Sequence, residues 1–256
     1  METAKRDDLD GRLAFSAAFA EVPDPRVVGR SKYDLVEMLV VSVCAMVCGI
    51  EDFVGIEECG KEQIVWLRRF LTLENGIPSH DTLGRLFGLL DRRAVEKSFR
   101  AWVGSVLPAL AEGRVVAIDG KASRRSRKKG LQPLHLVTAF ATEARLILGQ
   151  EACAEKSNEL TAIPILLESL MLMGVIGSIA PDAALLAYAV RAHWGVENQV
   201  HWCLDVAFKD DQMRAREKNA GSNLATLRRF VLNLFRLDKT PEEVRYLQSP
   251  HPRRVF

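Results

Sequence analysis

Val115-Val116-Ala117-Ile118-Asp119-Gly120-Lys121, followed by Ala122-Ser123-Arg124-Arg125-Ser126-Arg127-Lys128-Lys129, is the stretch on which the fold turns. Its four leading apolar residues, three of them β-branched, predict a buried strand over 115–118 with the Asp119 carboxylate where that strand ends. Six of the nine residues from Lys121 to Lys129 are cationic. A carboxylate at a strand end suits a hard cation such as Mg²⁺. A dense basic loop suits phosphate oxygens. Together they suggest metal-assisted chemistry on a polynucleotide backbone, with a merely solvated basic segment as the plainer alternative for the loop.

The residues on either side differ in hydrophobic period. Before the strand everything reads as helix: Lys32 to about Gly49, Phe53 to Cys59, and Lys61 to Leu73. A further helix carries Leu83, Leu86, Phe87 and Leu90, with Ser79, His80 and Asp81 as N-cap candidates, and another spans Ala94 to Leu107 before Pro108. After it come strands at Leu134–Ala141 and Ala144–Gly149, joined by a tight turn at Thr142-Glu143. Ser157-Asn158-Glu159 then caps a helix through Leu172, and a last apolar helix carries Arg228-Arg229. The order predicts an α+β chain: an all-helical N-terminal domain over 11–104, an α/β domain over 112–240, and a tail over 241–256.

The bulk composition sets limits. At 256 residues, 48% hydrophobic and 27% charged, the chain has the profile of a globular protein with room for two cores. A net charge of +2 is too small to mark nucleic-acid binding, so that inference rests on where the charge lies. The five cysteines are scattered without a C-x₂-C pair, which predicts reduced thiols and a cytoplasmic location. Cys44 and Cys48, on an apolar stretch, are expected to pack in the core. Met1 to Leu13 is too charged for a signal peptide. Leu35 to Ile50 carries Glu37 and falls short of the ~18–20 residues of a membrane span, so a buried helix is expected there.

Two-metal phosphoryl transfer needs several carboxylates converging on ions about 4 Å apart. Besides Asp119, the candidates lie in and after a predicted helix over Arg191–Trp202. There His193, Glu197 and His201 share a face at i, i+4 and i+8, with Asp205, Asp210 and Asp211 following. Three readings compete. Glu197 completes a Mg²⁺ site with Asp119; or His193, Glu197 and His201 hold zinc, though the spacing is not H-E-x-x-H; or the face is simply solvated. Arg214, Arg216, Lys218 and the Arg228-Arg229 pair either extend a cationic surface or occupy the outer face of a surface helix.

Several separate blocks resemble the ISAs1 (H-repeat) group of DDE transposases. They are Ala117-Ile118-Asp119-Gly120-Lys121, Lys156-Ser157-Asn158-Glu159, His193-Trp194-Gly195-Val196-Glu197-Asn198 and His201-Trp202-Cys203-Leu204-Asp205-Val206. In the first half, Val22-Pro23-Asp24-Pro25-Arg26, Trp66-Leu67-Arg68-Arg69-Phe70 and Gly76-Ile77-Pro78-Ser79-His80-Asp81-Thr82 are similar to that group's helical domain. The likeness covers roughly residues 14–238.

The resemblance implies an RNase H-like catalytic domain, Mg²⁺ or Mn²⁺, and DNA cleavage and strand transfer at the ends of an insertion sequence. It makes Asp119 the first catalytic acid and Glu197 the last, both metal ligands. The cations Lys121, Arg124, Arg125, Arg127, Lys128 and Lys129 are then expected on DNA. Tyr188 and Arg191 resemble part of a Y-R-E signature with shifted spacing.

The chain departs from the group at one place. A long segment there opens with a strand ending in the middle acid; here Val175–Ile179 runs into Ala180-Pro181-Asp182, with Ala180 where the acid belongs. The expectation is an internally truncated transposase with a shortened mixed sheet and little or no strand transfer. Alternatives are a non-catalytic DNA-binding remnant, competing with an intact transposase or joining it in mixed oligomers, and a zinc-dependent enzyme. A homo-oligomer is also compatible.

Overall fold

The computed structural model describes residues 17–27, 29, 31–106, 116–123, 134–153, 159–172, 195–215 and 217–237. The architecture is α+β, in two compact units. One comprises Met1–Trp102 with Ala215–Leu227, the other Val103–Arg214 with Arg228–Phe256.

In the first unit helix α1 spans Leu35–Val47, and its N-cap Asp34 accepts the Glu37 amide at 2.9 Å. Asp52 and Ser79 cap α2 (Phe53–Glu62) and α4 (His80–Leu89) in the same way. A single turn, α3, occupies Ile64–Leu67, and α5 spans Arg92–Val106. Met38, Leu39, Ile56, Leu83, Phe87, Val95 and Phe99 form the core. No helix among the described residues is long and apolar enough to cross a membrane.

Two expectations fail in this unit. The helix predicted over Lys61–Leu73 stops at Glu62, and only α3 follows. The Glu37 carboxylate takes the amides of Thr72 and Leu73, at 2.7 and 2.9 Å, and Leu73 adopts φ +45°. Hydrogen bonds from a distant helix thus replace the local ladder. Cys48 is exposed and Cys44 only half-buried, because Cys48 stands at the cap just past the end of α1.

The second unit is built on an antiparallel sheet of order β1-β2-β3, comprising Val116–Ser123, Leu134–Ala141 and Leu146–Ala152. β1 does not end before Asp119. Lys121, Ala122 and Ser123 pair with Leu136, His135 and Leu134, so Asp119 sits mid-strand opposite Thr138. β3 begins at Leu146, later than expected, because a four-residue turn over 142–145 precedes it, with Arg145 at φ +56°. Among the described residues the sheet is antiparallel throughout; the strand expected at 175–179 lies outside them.

Helix α6 (Glu159–Leu172) sets Ala162, Leu166 and Leu170, at helical spacing, in the core and packs on β3 and β2. A π-helical turn at Glu197–His201 leads into α7 (Trp202–Phe208), then a 3₁₀ turn at Asp210–Gln212 and α8 (Ala220–Leu237).

Candidate metal centre

Side chains alternate along a strand, so Asp119, Lys121 and Ser123 share one face of β1. That face meets the segment 197–212. The Ser123 hydroxyl donates to the Asp210 carbonyl at 3.0 Å, and the Lys121 ammonium donates to the His201 carbonyl at 3.3 Å. Asp119 is steadied locally, its Oδ1 accepting the Gly120 amide at 2.9 Å.

Glu197 and His201 bracket the π-helical turn, where the Trp202 amide reaches back to the Glu197 carbonyl. Such turns hold one residue more than an α-helical turn and recur at functional sites. His201 Nδ1 lies 3.0 Å from Glu197 Oε2 and 3.6 Å from Asp119 Oδ2. Burial pushes His201 below the ordinary imidazole value, opposed by the Glu197 hydrogen bond and aided by the charge of Arg229. A neutral ring with its proton on Nδ1 donates to Glu197. Nε2 is buried without a hydrogen-bond partner among the described residues, which costs less for a bare lone pair than for an N–H. His201, 2% exposed, thereby orients the 62% exposed Glu197.

Beside this cluster the Lys121 ammonium contacts the Asp205 carboxylate and lies 3.8 Å from Asp211 Oδ1. Burial raises the Asp205 carboxyl despite that partner. Asp210 is fully buried and hydrogen-bonded by Arg228 at 2.8 Å. Burial alone would raise its carboxyl, but the guanidiniums of Arg229 and Arg228 outweigh burial and hold it below the usual range. Arg228 and Arg229 are 1% and 0% exposed, so neither a cationic surface nor an outer helix face describes them. The charge rule fails because Asp210 and Thr138, remote in sequence, supply the partners.

The structure brings Asp119 and Glu197 together and adds His201, whose i, i+4 spacing to Glu197 was the available signal. Lys121 has 12% of its side chain exposed and its ammonium on Asp205. Arg124, Arg125, Arg127, Lys128, Lys129, Tyr188, Arg191, His193 and the stretch 175–182 lie outside the described residues.

Ligand atoms of Asp119, Glu197 and His201 all lie within 4.8 Å of one another. Ligands of an octahedral Mg²⁺ stand about 3.0 Å apart when adjacent and about 4.2 Å when opposite, the range in which the two carboxylates would have to meet. Two carboxylates suit Mg²⁺ or Mn²⁺. Asp119 and Glu197 are thus the residues that could hold a divalent ion, with His201 positioning Glu197.

This is an α+β protein carrying a carboxylate–imidazole cluster at the middle of a strand. Residues 16–103 match a family model described as "DDE_Tnp_1-associated". The chain is 41% identical over 169 residues to "Uncharacterized protein in dhlA 3'region" of Xanthobacter autotrophicus, covering 63% of this chain and 55% of that one. It is 40% identical over 152 residues to "Putative transposase YncI" of Escherichia coli strain K12, covering 59% and 61%. With the protein of that name from Escherichia coli O157:H7 it is 26% identical over 333 residues, covering 84% and 85%. It thus spans little more than half the length of the first and about three fifths of the second. Two proteins of strain K12, "H repeat-associated putative transposase YhhI" and "H repeat-associated putative transposase YbfD", are similar as well. No solved structure matches the chain. The chain belongs to a transposase family.

Proposed function

We propose that the chain is a DDE transposase of the ISAs1 group by descent, with a helical domain over 11–104 and a shortened RNase H-like catalytic domain over 112–240. On this reading it binds DNA and a divalent ion and performs little or no strand transfer. The observation that carries the reading is the meeting of Asp119 and Glu197, from a strand and a distant helical turn, around His201. These are the two acids that the resemblance assigns to the catalytic set.

Asp119 and Glu197 would hold Mg²⁺ or Mn²⁺, with Asp119 fixed by the Gly120 amide and Glu197 by His201. The ion would supply Lewis acidity toward a phosphoryl oxygen. A second ion needs a further carboxylate, which the group carries on a segment that this chain is short of. The alignment with the O157:H7 relative supports such shortening, since it runs over 333 residues although this chain has 256. DNA phosphates would be held by Arg124, Arg125, Arg127, Lys128 and Lys129 in the basic loop. A cytoplasmic location and homo-oligomers, or mixed oligomers with an intact transposase, accompany this reading.

The test mixes purified chain with insertion-sequence end DNA and Mg²⁺ or Mn²⁺, using Asp119→Asn as control. The expected result is binding that weakens steeply with salt, without cleavage. Cleavage that Asp119→Asn abolishes would refute the inactive reading. Absence of binding to any DNA would refute the nucleic-acid reading.

A further inference from the structure

The helical unit gathers three thiols. Helix α1 ends at Val47, and Gly49 at φ +81° turns the chain so that α2 packs back against α1. Val41, Cys44 and Cys48 recur at helical spacing on one face of α1. That face meets α2. A Cβ built on Gly60 would stand 3.3 Å from Val41 Cγ1, and the thiol of the neighbouring Cys59 is hydrogen-bonded to that of Cys48. Packing as a small hydrophobe accounts for a half-buried cysteine such as Cys44. It does not account for Cys48, which is exposed and touches a second thiol. Burial pushes Cys44 up to about 12 and also raises Cys59, which leaves Cys48 as the thiol that an external reagent meets first.

We propose that Cys48 and Cys59 form a reversible disulfide that ties the end of α1 to α2, with Cys48 as the attacking thiol and Cys59 as the resolving one. The co-reactant is a small disulfide, R–S–S–R. The Cys48 thiolate attacks one of its sulfurs, which makes a mixed disulfide and releases one RS⁻. Cys59 gives up its proton and attacks the Cys48 sulfur, so the Cys48–Cys59 bond forms, the mixed disulfide breaks and a second RS⁻ leaves. Two protein thiols are oxidised, the small disulfide is reduced, and each RS⁻ takes up one of the two protons. The sulfurs start in hydrogen-bond contact and have to close to ~2.05 Å. The bond closes a short loop over residues 48–59 and stabilises the unit by restricting its unfolded chain. In a reducing compartment such bonds are transient and respond to oxidants. The bond requires neither a metal ion nor DNA.

The test equilibrates the reduced full chain with excess oxidised glutathione and alkylates the thiols that remain. Cleavage after Glu51, Glu57 and Glu58 then separates Cys48 from Cys59 for mass spectrometry. Wild type and Cys44→Ala should each form one link within the chain, which dithiothreitol reverses and which raises the melting midpoint. Cys48→Ser should form no such link. Cys59→Ser should form none either and should keep glutathione on Cys48. A glutathione adduct that persists on Cys48 in wild type would overturn the resolving role of Cys59 and with it the proposal. So would a link that requires Cys44, a link found only between chains, or one that forms only in urea. Three thiols still fully alkylated after oxidation, or a midpoint that the link does not move, would overturn it as well.

Discussion

The two units place their buried polar groups on different partners. In the helical unit, side chains close backbone groups: Asp34, Asp52 and Ser79 cap helices, and Glu37 takes the amides of Thr72 and Leu73. There too Asn223 donates to the carbonyls of Phe87 and Leu90. In the sheet unit, charged groups face one another, Lys121 and Asp205, Asp210 and Arg228, and the neutral His201 lies beside Asp119. Backbone closure is what any fold requires. Buried charge pairs add little net stability over apolar residues of the same shape. Among the described residues such pairs lie in both units, since the buried Glu96 faces Arg100 at 3.7 Å, but those beside β1 adjoin the carboxylate–imidazole cluster.

Single substitutions can break or sharpen this contrast. Arg228→Met should cost the most, about 3–5 kcal/mol in urea unfolding, because it removes the hydrogen bond and one of the two guanidiniums that compensate the buried Asp210. Adding Asp210→Asn should recover much of that loss; a double variant as unstable as the single one would mean that packing, not charge, matters. Asn223→Ala should cost less, about 1–3 kcal/mol, for the Phe87 carbonyl that loses its side-chain donor, while Asn219 still donates to that of Leu90. A loss equal to that of Arg228→Met would erase the distinction between the units.

The smallest expected effect is a pH step in the helical unit. His80 Nδ1 lies 2.7 Å from Glu57 Oε2, and that hydrogen bond raises His80 above its ordinary value of 6.5. Bonds from Lys61 and His80 lower Glu57 to about 2, so Glu57 stays ionised across the neutral range. The contribution from His80 is thus fully present below pH 6.5 and disappears as pH rises through its raised value. NMR titration should place His80 above 6.5, and His80→Gln should flatten the stability profile there. A His80 titrating at or below 6.5 would remove the clasp from the account.

Local signals carried much of this fold. The Ser79 cap, the helix over Leu35–Val47 and the span of β2 at Leu134–Ala141 follow from residue type and period alone. What escaped depends on partners distant in the chain. Asp119 read as a strand end because Gly120 and a cationic run follow it, yet pairing with β2 carries the strand to Ser123. Arg228 and Arg229 read as surface because nothing near them in sequence announces Asp210 or Thr138. At the site, Asp119 and Glu197 were legible through the resemblance and His201 through spacing. The Lys121–Asp205 pair was not, since no periodicity links a strand to a helix so far along the chain.

The shared face of β1 also bears on folding fidelity. Asp119, Lys121 and Ser123 look toward their partners only in the observed pairing with Thr138, Leu136 and Leu134. A slip of β1 by one residue would present Ile118, Gly120 and Ala122 in their place and turn a carboxylate, an ammonium and a hydroxyl away from every group that answers them. Such an error cannot be partial. A chain misthreaded at this strand loses its counter-charges and its candidate centre together, so a correctly assembled site is itself a report that the sheet has formed in register.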